Sequence, residues 1–174
     1  MSNPQHTQKI QQEVLDFINS RKSLQIASLM TDGETPYASY APFALDQTCL
    51  YVLISEIAIH AINLATHPKA SVMIIEDEDS AKELFARKRV SYQVSATHIA
   101  PDQAEWEHGI NLLTHRHGQR IGNLSQLTDF KLFRLTPEAG RYVKGFGRAF
   151  TLTGETLAGE LVDHLKDGHK KRAS

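Results

Sequence analysis

A single cysteine, Cys49, stands in the whole chain, which excludes a disulfide framework and any thiolate metal cluster built within one copy. Strong charge of either sign is missing as well: nineteen Lys and Arg face twenty Asp and Glu, for a formal charge of -1. No overall basic field is present to attract nucleic acid or an anionic membrane, so neither is expected as a partner. The longest apolar runs, Leu50 to Ile54 and Ser71 to Ile75, fall far short of the ~20 residues of a membrane-spanning helix. The start, Met-Ser-Asn-Pro-Gln-His, is polar and lacks a secretory pattern, so a reducing, cytoplasmic setting is expected. Internal repeats, linkers and low-complexity stretches are also missing.

What is there is enough for one domain: 174 residues, 41% of them apolar, can bury a sizeable core. Nine histidines form the one compositional excess, and any metal chemistry would have to live on them.

The hydrophobic period changes along the chain. Val14, Leu15, Phe17 and Ile18 recur at near-helical spacing and predict an amphipathic helix over about 8–20. From Leu24 the pattern is extended, with Thr31-Asp32-Gly33 as a turn between two arms, and Cys49 to Ile54 as a third strand. Glu56 to Ala65 reads as a helix closed by His67-Pro68, because proline disfavours helical geometry in the residue before it. Ala70 to Glu76 is a strongly apolar strand. An acidic run, Glu76 to Asp79, then gives way to Arg87-Lys88-Arg89, and Val90 to Ile99 alternates with period two. Helical character returns over 102–121. Three strands follow, Phe130 to Leu135, Arg141 to Lys144 and Ala149 to Leu152, then a final helix over Glu155 to Leu165 and a basic tail to Ser174. Strands with helices inserted irregularly predict an α+β chain, mainly β: an antiparallel barrel with peripheral helices, rather than a doubly wound sheet.

The common nucleotide motifs do not appear. Gly145-Phe146-Gly147 lies between two strands instead of opening a helix, so it reads as a bend or bulge, or as a close backbone approach to a flat ligand flanked by Lys144 and Arg148. His108, His115 and His117 share a helix but lack zinc-site spacing, and read as a solvated face. His60, three residues before Asn63, suits capping or a core hydrogen bond. Arg87 to Arg89 is either a solvated strand end or an anion site, since guanidinium groups pair bidentately with phosphate or carboxylate. Asp129 reads as a strand-entry aspartate, and His169 as a tail histidine beside a basic run.

A resemblance adds to this reading. Tyr51 to Leu64, with His60 and Asn63, followed by His67-Pro-Lys-Ala-Ser-Val72, resembles the pyridoxamine phosphate oxidase-like, FMN-binding split barrels. Leu84-Phe-Ala-Arg-Lys-Arg89, Leu124-Ser-Gln-Leu-Thr-Asp-Phe130, Phe133-Arg-Leu-Thr-Pro137, Val143-Lys-Gly-Phe-Gly147 and Gly168-His-Lys are similar to the HutZ/HugZ heme-utilisation family, its short HutZ branch above all. The resemblance covers about residues 10–170.

It implies a homodimeric six-stranded split barrel, 24–152, between the 8–20 helix and a C-terminal helix and tail, 155–174. It also implies that heme is bound between subunits and degraded oxidatively, with electrons from an external donor or reductase. On the matching positions, His169 becomes the axial ligand to heme iron and Asp129 of the other subunit its hydrogen-bonded carboxylate, an arrangement that fixes an imidazole's tautomer and donor strength. Arg89 and His60 match positions near the cleft, and Lys144, Gly145 and Phe146 join them as heme-contact candidates. Trp106 packs near the same region or simply in the core. Two other readings stay open: an FMN-dependent oxidoreductase of the same barrel, its phosphate on Arg87 to Arg89, and a heme carrier or storage protein without turnover.

Overall fold

The structure, a computed structural model, describes residues 4–164. Helix α1 (Pro4–Ser20) buries Ile10, Val14, Phe17 and Ile18, a stripe at helical spacing that needs an apolar partner. That partner is a nine-stranded sheet in which every described pairing is antiparallel. Its strands are β1 (Ser23–Leu29), β2 (Pro36–Pro42), β3 (Ala44–Leu45), β4 (Leu50–Ser55), β5 (Lys69–Ile75), β6 (Arg89–Ile99), β7 (Phe130–Gly145), β8 (Arg148–Thr153) and β9 (Leu161–His164). Along the main path the order is β2-β1-β5-β6-β7-β4-β3, while β8 and β9 branch from β7.

The branch is what splits the barrel. The first part of β7, Phe130 to Leu135, pairs with β4, and its last part, Gly140 to Gly145, pairs with β8. β6 runs along the other edge of β7 through both parts, with a bulge between Gln93 and Val94 opposite the Pro137 region. The antiparallel split-barrel class expected from the sequence is thus the one found, with nine strands in the sheet rather than six.

Two apolar clusters lie on opposite faces of β4, which explains why Leu-Tyr-Val-Leu-Ile shows no alternation. Leu50, Val52 and Ile54 enter the barrel core with α1 and with Ala61 and Leu64 of α2 (Ile59–Thr66). Tyr51 and Leu53 face a second core under α3 (Ala104–His117) and α4 (Arg120–Leu124), built with Ile99, Leu113, Ile121 and Leu132, against which Trp106 packs half-buried. Gly109 brings α3 close to the sheet: a Cβ there would stand 2.8 Å from Leu132 Cδ2 and 3.1 Å from Tyr51 Cδ1.

Three expected elements differ. The helix expected over 102–121 is broken by Gly118, at φ +83, into α3 and α4. The strands at 130–135 and 141–144 are one strand, because β6 offers a continuous edge to both. Of the C-terminal helix expected over 155–165, the described residues 155–164 form none: Gly154 and Gly159 take positive φ, the Glu160 N–H donates to Thr153 O at 2.7 Å, and Leu161 to His164 pair with β8 as β9. The open edge of β8 offers that segment a ladder of backbone hydrogen bonds, which outweighs its local helical spacing.

Candidate functional site

Of the heme-site candidates among the described residues, Asp129 and the set of Arg89, Lys144, Gly145 and Phe146 form two groups, one at each end of β7. At its start, the ladder places Ser55 of β4 opposite Phe130, and so beside Asp129. Ser55 Oγ donates to Asp129 Oδ2 at 2.9 Å, and the Glu56 N–H donates to Asp129 O at 2.6 Å. Asp129 Oδ1 takes no hydrogen bond among the described residues. Lys131 closes the corner by pairing with Glu56 at 3.1 Å and donating to Thr128 O at 2.9 Å. Beside the charged Glu56–Lys131 pair, the adjoining chain exposes two large apolar side chains, Ile57 at 81% and Leu127 at 49%. An adjoining cleft of about 330 Å³ is lined by Glu56, Ile62, Thr66, His98, Lys131 and Phe133.

His60 lies four positions after Glu56, half-buried on α2, and burial holds its pKa below the ordinary histidine value. The core hydrogen bond expected of it belongs instead to Asn63, whose Nδ2 donates to Ser28 Oγ at 2.9 Å. No side-chain cap bond is made at the start of α2.

The second group sits where β6 begins and β7 ends, Arg89 being opposite Val143. Roughly 40 Å of strand separate this point from Phe130, at about 3.3 Å per residue. Arg87 is a loop staple, its Nε donating to Glu76 O at 3.0 Å and its Nη1 pairing with Glu78 at 3.2 Å. Lys88 places its ammonium 5.9 Å from the Phe17 ring centre. Among the described residues Arg89, half-buried, donates only to Arg87 O, at 3.0 Å, and has no carboxylate partner. Lys144, by contrast, pairs with Glu13 of α1 at 2.6 Å, so its charge is already matched. Gly145-Phe146-Gly147 forms the β7–β8 hairpin end, with Gly147 at φ +68, as the bend reading required. Phe146 stands out at 62% exposure.

His169 and the basic tail lie outside the described residues. The direction of the chain approaching them is clear from the register: β9 runs from Leu161, opposite Thr153, to His164, opposite Phe150, and therefore toward the hairpin end. The helical histidines are held apart, His108 on Asp46 at 2.7 Å and His117 on Phe43 O at 2.7 Å. No cluster of three metal-ligating side chains occurs among the described residues, and none of their helices is long and apolar enough to cross a membrane.

Comparison with known proteins places this architecture. The pyridoxamine 5'-phosphate oxidase family profile matches residues 10–144. Over 165 residues the chain is 46% identical to heme oxygenase HutZ of Vibrio cholerae, covering 94% of this chain and 91% of that one. It belongs to the HutZ family. The crystal structure of Vibrio cholerae HutZ, described as a heme storage protein, superposes with a TM-score of 0.69 at 41% identity, covering 83% of this chain and 97% of that one. Campylobacter jejuni ChuZ superposes with a TM-score of 0.83 at 29% identity, over 99% of this chain and 68% of that one. A heme-binding protein of Mycobacterium smegmatis gives a TM-score of 0.75 at 25% identity, over 91% of this chain and 62% of that one.

Sequence reasoning missed Ser55. Its position at the end of an apolar strand carries no functional signal, and only the β4–β7 register brings it to Asp129.

Proposed function

We propose that this HutZ-family chain binds heme between two copies of itself and degrades it oxidatively, with His169 of one subunit as axial ligand and Asp129 of the other as its carboxylate partner. The observation that carries the reading is the separation of the two groups along β7. Asp129 lies at one end, whereas β9 directs the chain toward the other. From His164 to His169 the backbone spans at most about 18 Å, well short of the strand length that separates the two ends. A carboxylate at the start of β7 is therefore better suited to meet the His169 of a partner than that of its own chain.

The residues present fit the group. A flat, largely apolar macrocycle suits the exposed Ile57 and Leu127 beside Asp129 and the exposed Phe146 at the other end. An open Oδ1 on Asp129 can accept from the second N–H of a ligating imidazole, which holds that ring in one tautomer. Arg89, without a carboxylate partner among the described residues, can pair with a propionate, while Lys144 is occupied by Glu13. Bound heme supplies the oxygen chemistry, and a reductant outside the chain supplies electrons.

Hemin added to the purified protein is expected to give a sharp Soret band that His169→Ala weakens or shifts; an unchanged spectrum in that variant would remove His169 as ligand. Ascorbate and oxygen are then expected to bleach the band and release iron. A stable band under those conditions would mark a carrier without turnover.

A further inference from the structure

We infer that Ser55 is a positioning residue for Asp129, orienting its carboxylate toward the histidine that holds the heme iron. The inference rests on the heme reading above, and adds to it a residue of the same subunit as Asp129.

The geometry separates two jobs at this corner. Closing the strand end is already done by the backbone: the β4–β7 ladder reaches Ser55 and Phe130, and the Glu56 N–H is bonded to Asp129 O. Lys131 adds two more ties, to Glu56 and to Thr128 O. None of these contacts touches the Asp129 carboxylate. An aspartate carboxylate turns easily about its last torsion, so backbone ties alone leave its direction open. The Ser55 hydroxyl is the one described group bonded to it, at 2.9 Å to Oδ2. Holding Oδ2 against β4 leaves Oδ1 as the oxygen available to an incoming N–H, and removes the torsional freedom that the pairing would otherwise have to freeze.

The chemistry required of position 55 is a hydroxyl on a β-branched or unbranched Cβ at a strand end. Threonine meets it without loss of strand propensity, and alanine removes only the oxygen. That contrast makes the role testable apart from folding.

The test uses the full-length protein loaded with hemin and reduced, and reads the iron–histidine stretching band by resonance Raman, with thermal melts as a fold control. Ser55→Ala is expected to move the band in the same direction as Asp129→Ala, by about half that shift or more, because a freely turning carboxylate grips the imidazole N–H less well. Ser55→Thr is expected to keep the wild-type band. A wild-type band in Ser55→Ala, a shift opposite to that of Asp129→Ala, or an equal shift in Ser55→Thr would each overturn the inference. His169→Ala separates the two levels. If it abolishes the band while Ser55→Ala leaves it unmoved, the heme reading stands and the role of Ser55 falls; if it leaves the Soret band unchanged, both fall.

Discussion

Asn63 of α2 and Ser28 of β1 face each other inside the barrel, almost wholly buried, with Asn63 Nδ2 donating to Ser28 Oγ at 2.9 Å. They tie the helix that carries His60 to the sheet. A buried polar group that loses its partner costs about 1–3 kcal/mol, whereas removing both partners costs much less. Asn63→Ala is expected to lower unfolding free energy by roughly 2 kcal/mol or more, and Ser28→Ala by about 1. The double variant should be less destabilised than the sum of the two. Additive losses in a denaturant cycle would show that the bond contributes nothing.

Gly109 lies in the interior of α3, where alanine ordinarily gains about 0.5–1 kcal/mol over glycine. Here the added methyl would meet Leu132 at 2.8 Å and Tyr51 at 3.1 Å. The clash outweighs the propensity, so Gly109→Ala is expected to destabilise by roughly 1–3 kcal/mol. Glu105, bonded by the Tyr51 hydroxyl and by Arg134 Nη1, each at 2.7 Å, pins the same helix and limits its retreat. A higher melting temperature in the variant would refute this packing account.

His60 titrates below the ordinary histidine value because burial penalises its charged form. The unfolded chain therefore binds the proton first as pH falls. Stability contributed by the neutral ring is present above about pH 6.5, the unfolded value, and is lost as pH drops toward the lower folded value. His60→Gln is expected to flatten the stability profile between about pH 7 and pH 5. Denaturant midpoints with the same slope in the variant as in the wild type would rule His60 out as the group responsible.

Much of the architecture was legible along the chain. The α1 stripe, the Thr31-Asp32-Gly33 turn and the alternating β6 were readable because each is governed by neighbours close in sequence. The turn is a local device throughout: Asp32 accepts from the Thr35 hydroxyl and from the Thr35 and Glu34 N–H groups, which draws its carboxyl down to about 2. Residues 155–165 misled for the opposite reason. Their spacing was helical, but the free edge of β8 drew Leu161 to His164 into a strand, and an edge is a property of the sheet rather than of the segment.

The candidate site divides the same way. Lys144 read as a free cation beside a glycine bend, and only the packing of α1 against the sheet supplied Glu13 to match it. Arg87-Lys88-Arg89 read as one cluster, yet the fold turns the Arg87 side chain to Glu76 O and Glu78 and Lys88 toward Phe17, leaving the Arg89 guanidinium with the Arg87 carbonyl but no carboxylate among the described residues.

By itself the sequence determined the class of barrel and the kinship with HutZ, because period, turn chemistry and motif identity are written in order along the chain. Only the tertiary structure decided that Asp129 has a partner in Ser55, and that Asp129 and the chain's exit through β9 lie at opposite ends of β7. The first relation depends on strand register between residues 74 positions apart, and register is set by how a whole sheet buries its faces, not by any local run of residues.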